Sequence, residues 1–139
     1  GYPVLADDLS VIDAGLRVHR GPRFIDLRKE AASALGVGEY VGVLGVRERW
    51  RYRIGAAPLS LPLGGIVIPG WGQLGLQPVS GSSRLSLLAP ELALRIPGPW
   101  DALFMDVVSS VPVVHWIRPN DLDQADRGVD DLLEFATSV

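Results

Sequence analysis

The chain has 139 residues, thirteen of them Lys or Arg and sixteen Asp or Glu, for a net charge of −3. That balance argues against the dense cationic face that displaces counterions from nucleic acid, and the absence of cysteine excludes disulfides and thiolate metal sites. A hydrophobic fraction of 47% beside 21% charged residues provides for a core and argues against disorder, so residues 1–139 are expected to form a single domain or a fragment of one.

Pro3 to Ala6 is a short apolar run that stops at Asp7-Asp8, and a second run, Leu9 to Ile12, ends at the turn signal Asp13-Ala14-Gly15. Leu16, Val18, Phe24, Ile25 and Leu27 continue in extended pieces broken by Gly21-Pro22. Arg28 to Leu35 has a helix-forming composition and Gly36 stops it. The glycines between Gly36 and Gly45 predict a loop, and Arg47 to Ile54 alternates with period two like a half-exposed strand. Leu59, Leu61 and Leu63 alternate likewise, Ile66 to Ile68 reads as a buried strand, and Pro69-Gly70-Trp71-Gly72 reads as a turn before a short strand with Leu74 and Leu76. Leu85, Leu87, Leu88, Leu92 and Leu94 predict a helix behind the cap residues Ser80 to Ser83. Pro99 to Ser110 predicts another, Val111 to Ile117 a strand, and Asn120 or Asp121 caps a last helix with Val129, Leu132, Leu133 and Ala136 on one face. The order predicts an α/β fold, a mixed β-sheet with flanking helices. No apolar run reaches the ~18 residues of a membrane span and no leader opens the chain, so the expected location is cytoplasmic. Gly1, not Met, leads straight into an apolar run, from which further sequence is expected before it.

Few residues can carry chemistry. Lys29 is the sole lysine, and nothing around it resembles a phosphate loop. His19 and His115 are too few for a multi-histidine metal site, and neither has a serine–carboxylate constellation nearby. Asp7-Asp8 stands out: at the carboxyl end of a strand two adjacent carboxylates can both face a crevice, where they suit Mg2+ and a hydroxyl proton in phosphoryl transfer. The competing reading is a solvated turn. Arg47, Arg49, Arg51 and Arg53 put four guanidinium groups on one side of a strand. They bind anions or an acidic partner, or they guard a solvated edge strand.

The segment Gly1 to Ile12, with Ala6-Asp7-Asp8 at its centre, resembles the stretch that follows the P-loop helix in HPr kinase/phosphorylase-related serine kinases. Gly21-Pro22, then Phe24-Ile25-Asp26-Leu27-Arg28, occupy the places of that family's Gly-Pro and Asp-Leu-Arg-like pieces, and the closing strand, Arg118-Pro119 and helix are similar in order. Arg28-Lys29-Glu30-Ala31 stands where the family has Arg-Gly-Leu-Gly. The resemblance implies a PEP-carboxykinase-like P-loop kinase core without its first strand and P-loop helix. It implies Asp7, Asp8 and Arg28 as catalytic positions, with Asp7 and Asp8 also as metal ligands. Mg2+ and ATP are then cofactors of the complete enzyme, with none expected for this chain alone. The implied partner is a protein or peptide carrying a serine, with no nucleic acid or membrane and with a possible homo-oligomer. The alternative is a non-catalytic, kinase-derived module that holds a peptide or protein partner.

Overall fold

The computed structural model describes residues 2–93, 98, 100–119 and 125–139, with the backbone alone for 100 and 125–127. The chain is mixed α/β, with three small sheets and four α-helices among the described residues. It divides into two compact units, Gly1–Pro62 and Leu63–Val139.

The first unit holds two antiparallel sheets. β1 (Val11–Ile12), β2 (Arg17–His19) and β6 (Ser60–Pro62) form one, in the order β1-β2-β6. Asp13 shapes the β1–β2 turn: its Oδ1 accepts the N–H of Gly15 at 2.8 Å and of Arg17 at 3.1 Å, and its Oδ2 meets His19 Nε2 at 2.7 Å. That side-chain turn holds Leu16 at φ 52°, a left-handed conformation that costs a branched residue about 1 kcal/mol.

β3 (Phe24–Leu27), β4 (Glu39–Leu44) and β5 (Arg47–Arg53) form the other sheet, with β5 in the middle. Helix α1 (Lys29–Leu35) follows β3 directly and ends at Gly36, whose φ of 64° lets its N–H turn back to Ala32 and Ser33 carbonyls. Its Ala32 is buried, and Lys29 reaches Glu48 of β5 at 3.7 Å. β4 replaces the expected glycine loop. Tyr40 pairs with Trp50 but Gly42 with Arg49, so Val41 is an extra, bulged residue. The bulge breaks the period of two, which is why the strand is not visible as alternation. Gly45 (φ 65°) and Val46 then close a two-residue hairpin turn, with positive φ only at its first position as in type II′.

The second unit is one three-stranded sheet with helices. β7 (Ile66–Trp71) runs parallel to β9 (Val113–Arg118), and β8 (Gly75–Val79) pairs antiparallel with the other side of β9. The turn expected at Pro69–Gly72 is instead strand as far as Trp71, because β9 supplies partners out to Arg118. Pro69 and Pro78 both sit on outer strands, where a missing ladder donor is tolerated. α2 (Ser82–Leu88), a 3-10 turn (Ala89–Glu91) and α3 (Trp100–Ser110) lie between β8 and β9 in the chain. Leu88, Val108, Val79 and Val113 form the core with Ile66, Ile68, Leu87 and Phe104 packed on it. Leu94, Asn120 and Asp121, expected in or before helices, lie outside the described residues.

α4 (Ala125–Ser138) lies against the other face of this sheet. Its inward side runs through Gly128, Leu132 and Phe135, whereas Val129, expected inside, is 45% exposed. Two small residues set this contact. A Cβ on Gly128 would lie 2.6 Å from the Trp116 ring, and one on Gly65 would lie 2.7 Å from that of Phe135. No helix among the described residues is long and apolar enough to cross a membrane.

Candidate functional site

Asp7 and Asp8 lie in an exposed bend. The expected strand before them, Pro3 to Ala6, does not join a sheet: it is tied down by Gly21 N–H donating to Leu5 O at 2.9 Å and by the Arg23 guanidinium. Arg23 Nη1 donates to Val4 O at 2.8 Å and Leu5 O at 3.3 Å, and its Nε donates to Gly55 O at 3.0 Å. The acidic pair therefore follows an irregular segment anchored by an arginine, not a strand end.

The sheet edge fixes Asp7. Ile54 N–H donates to Arg23 O at 3.1 Å, so Arg23 and Ile54 form a hydrogen-bonded pair of the β3–β5 ladder. Pairs alternate along an antiparallel ladder, which leaves Asp26 opposite Arg51 as a non-hydrogen-bonded pair and turns the Asp26 N–H outward. Asp7 Oδ2 accepts that N–H at 3.0 Å. One carboxylate oxygen of Asp7 is thus committed to the backbone. Asp8 makes no hydrogen bond or ion pair among the described residues and is exposed.

Asp26 is the residue that sequence reasoning passed over. Its two oxygens take Arg51 Nε and Nη2, both at 2.9 Å, in a bidentate pair. The bond from Arg51, with its positive charge, lowers the Asp26 pKa against the opposing effect of burial, and the same bond raises that of Arg51. The Arg51 guanidinium also stacks 3.9 Å above the Phe24 ring. A signal was present: an aspartate in Phe-Ile-Asp-Leu, alone among apolar strand residues, needs a cationic partner when it is not fully solvated.

Arg28 precedes α1 in an extended conformation and is exposed. It stands two residues after Asp26, at the end of the strand whose edge holds Asp7, but no ion pair joins it to Asp7 or Asp8 among the described residues. The structure thus brings Asp7 to β3 by a hydrogen bond, and the side chains of Asp8 and Arg28 make none to either among the described residues.

Asp7 and Asp8 offer carboxylate oxygens, the donor type that a hard divalent cation such as Mg2+ takes. Asp7 Oδ1 and both Asp8 oxygens have no hydrogen-bond partner among the described residues, and Mg2+ commonly takes one or two carboxylates, filling its shell with water and phosphate. No group of three or more His, Asp or Glu gathers as a metal cluster among the described residues.

Two open grooves, of about 540 and 650 Å3, flank α4 in the second unit. The first is walled by Gly65, Val67, Trp116 and Phe135, the second by Leu76, Val114, Asp131 and Glu134. Neither is lined by Asp7, Asp8 or Arg28. No family model, curated protein or solved structure matches the chain.

Proposed function

We propose that the chain is the carboxyl-terminal part of an HPr-kinase-type serine kinase, built on a PEP-carboxykinase-like core and acting on a protein or peptide hydroxyl. The observation that supports this reading is the pinning of Asp7 by the Asp26 N–H, which fixes one carboxylate of an adjacent pair while three of its four oxygens stay open. In this reading Asp7 and Asp8 hold Mg2+ and accept the serine proton, and Arg28 stands near the transferred phosphate. Mg2+ supplies charge neutralisation between the phosphates of ATP. The chain contains no Gly-x-x-x-x-Gly-Lys-Ser/Thr, so this reading requires the phosphate-cradling amides and lysine to come from other sequence.

Radiolabelled phosphate transfer from ATP by the full gene product tests the reading. Asp8→Asn is expected to lower the rate by about a hundredfold or more, as for loss of a base or metal ligand. Wild-type rates in both Asp7→Asn and Asp8→Asn remove the acidic pair from the chemistry. Calorimetry on residues 1–139 alone is expected to show no binding of Mg-ATP, and tight binding there contradicts the assignment of the phosphate loop to other sequence.

A further inference from the structure

We propose that the arginine-bearing face of the β3–β5–β4 sheet is a docking surface for an extended acidic segment of a partner protein, read by Arg47, Arg49 and Arg53 around an Arg51 that Asp26 holds in place. The central position of β5 is the first argument. A row of charges that guards against edge-to-edge pairing belongs on an outer strand, and here the outer strand β4 carries the exposed Tyr40, Val41, Val43 and Leu44 instead. The arginines do not protect an edge, because β5 has none.

Three other arginines of this unit, Arg17, Arg20 and Arg23, show what a structural arginine looks like, whereas Arg28 is exposed and its side chain makes no hydrogen bond or ion pair among the described residues. Arg17 binds Ser60, Arg20 donates to Ala57 O at 3.0 Å, and Arg23 gathers the carbonyls of Val4, Leu5 and Gly55. Arg47, Arg49 and Arg53 make no hydrogen bond or ion pair among the described residues. Arg49 acts on Asp26 through its charge alone, so all three guanidinium groups keep their donors unspent, and a guanidinium is built for bidentate carboxylate recognition.

Spacing selects the ligand. Alternate residues of a strand lie ~6.7 Å apart, too far for three guanidiniums to converge on a single small anion. An extended peptide with carboxylates at every second position has the same repeat and can meet Arg47, Arg49 and Arg53 singly, with Arg51 already held by Asp26. Nucleic acid fits worse, because the four arginines share the face with Asp26 and Glu39, leaving a modest positive excess. The fixed Arg51, stacked on Phe24, lowers the ordering cost at the centre of the row.

The proposal does not depend on the phosphotransfer reading, and its test contains no nucleotide. Fluorescence anisotropy with a labelled eight-residue-scale peptide of alternating Glu and Ser is the measurement, run against a peptide of equal composition with its glutamates contiguous. The alternating peptide is expected to bind the 139-residue chain more tightly. Arg47→Gln/Arg53→Gln is expected to weaken it by about tenfold or more, as is raising salt to about 0.3 M. A charge-reversed Arg49→Glu, with circular dichroism to verify folding, gives an independent second variant. Absence of binding overturns the proposal, as does equal binding of the two peptides or indifference to both substitutions. Tighter binding of a single-stranded oligonucleotide of equal charge makes the face a general polyanion surface and also overturns it.

Discussion

Asp26 and Arg51 face each other across β3 and β5, and two guanidinium nitrogens meet two carboxylate oxygens at 2.9 Å. The pair lies in the closer, non-hydrogen-bonded register, where side chains on opposite strands interact most strongly. A double-mutant cycle with Asp26→Asn and Arg51→Gln is expected to show the two substitutions to be non-additive. Additive effects in denaturant unfolding contradict the pairing.

The same pair sets a response to acid. Asp26 and Asp13 both have folded-state pKa values lowered, Asp26 chiefly by its hydrogen bond from Arg51 and Asp13 chiefly by that from His19. A carboxyl whose pKa is depressed on folding adds stability above its unfolded value, near 4, and loses it as pH falls through the lower folded value. Thermal stability is therefore expected to fall below about pH 4, and Asp26→Asn is expected to flatten that slope. An unchanged slope in Asp26→Asn assigns the acid response to other groups.

Asp7 and Asp8 are separable by stability alone. Asp7→Ala removes the acceptor of the Asp26 N–H and is expected to cost about 1 kcal/mol. Asp8→Ala, with no such bond, is expected to stay within about 0.5 kcal/mol of wild type. Chemical denaturation of both variants checks this, and it makes Asp8 the cleaner probe of phosphotransfer. Equal losses in the two contradict the assigned difference.

Arg84 is the tie of the second unit. Its guanidinium donates to Val79 O at 2.8 Å, Val108 O at 3.1 Å and Val111 O at 3.2 Å, joining α2 to the end of β8 and to the carboxyl end of α3. Val108 O is one of the unpaired, partially negative carbonyls of the α3 carboxyl end, and Val111 O follows just beyond it. Arg84→Ala is expected to cost about 2–3 kcal/mol, and Arg84→Lys to recover only part, because one ammonium cannot span the three acceptors. Full recovery by lysine contradicts the planar-fork argument.

Gly128→Ala sets two effects against each other. Alanine gains about 1 kcal/mol of helix propensity, but its Cβ would lie 2.6 Å from the Trp116 ring, and such overpacking costs about 1–3 kcal/mol. A net loss in melting temperature is expected, whereas Gly55→Ala, with nothing within 4 Å, is expected to be nearly neutral. A more stable Gly128→Ala variant contradicts the close approach of α4 to the sheet.

The elements that sequence reading recovered are those whose signals are local. α1 runs from Lys29 to Leu35 and stops at Gly36, as a glycine in the left-handed region dictates. β5 follows its own alternation. β4 was hidden because its pairing depends on β5, and the bulge at Val41 erases its period. β7 outruns its expected end because β9, more than forty residues later in the chain, supplies the partners of Pro69 to Trp71. At the candidate site, Asp7 and Asp8 were legible as adjacent acids. The Asp26 N–H that holds Asp7, and the Arg51 that holds Asp26, are long-range pairings that no local pattern encodes.

The bulged Val41 has a further consequence for how this chain behaves at high concentration. β4 is an outer strand rich in exposed apolar side chains, the composition from which cross-β fibres grow. An extra residue twists such a strand and interrupts the flat run of free amides that an incoming copy must match. Deleting that single valine is expected to straighten the rim of the sheet and to raise thioflavin-positive aggregation over that of the parent chain.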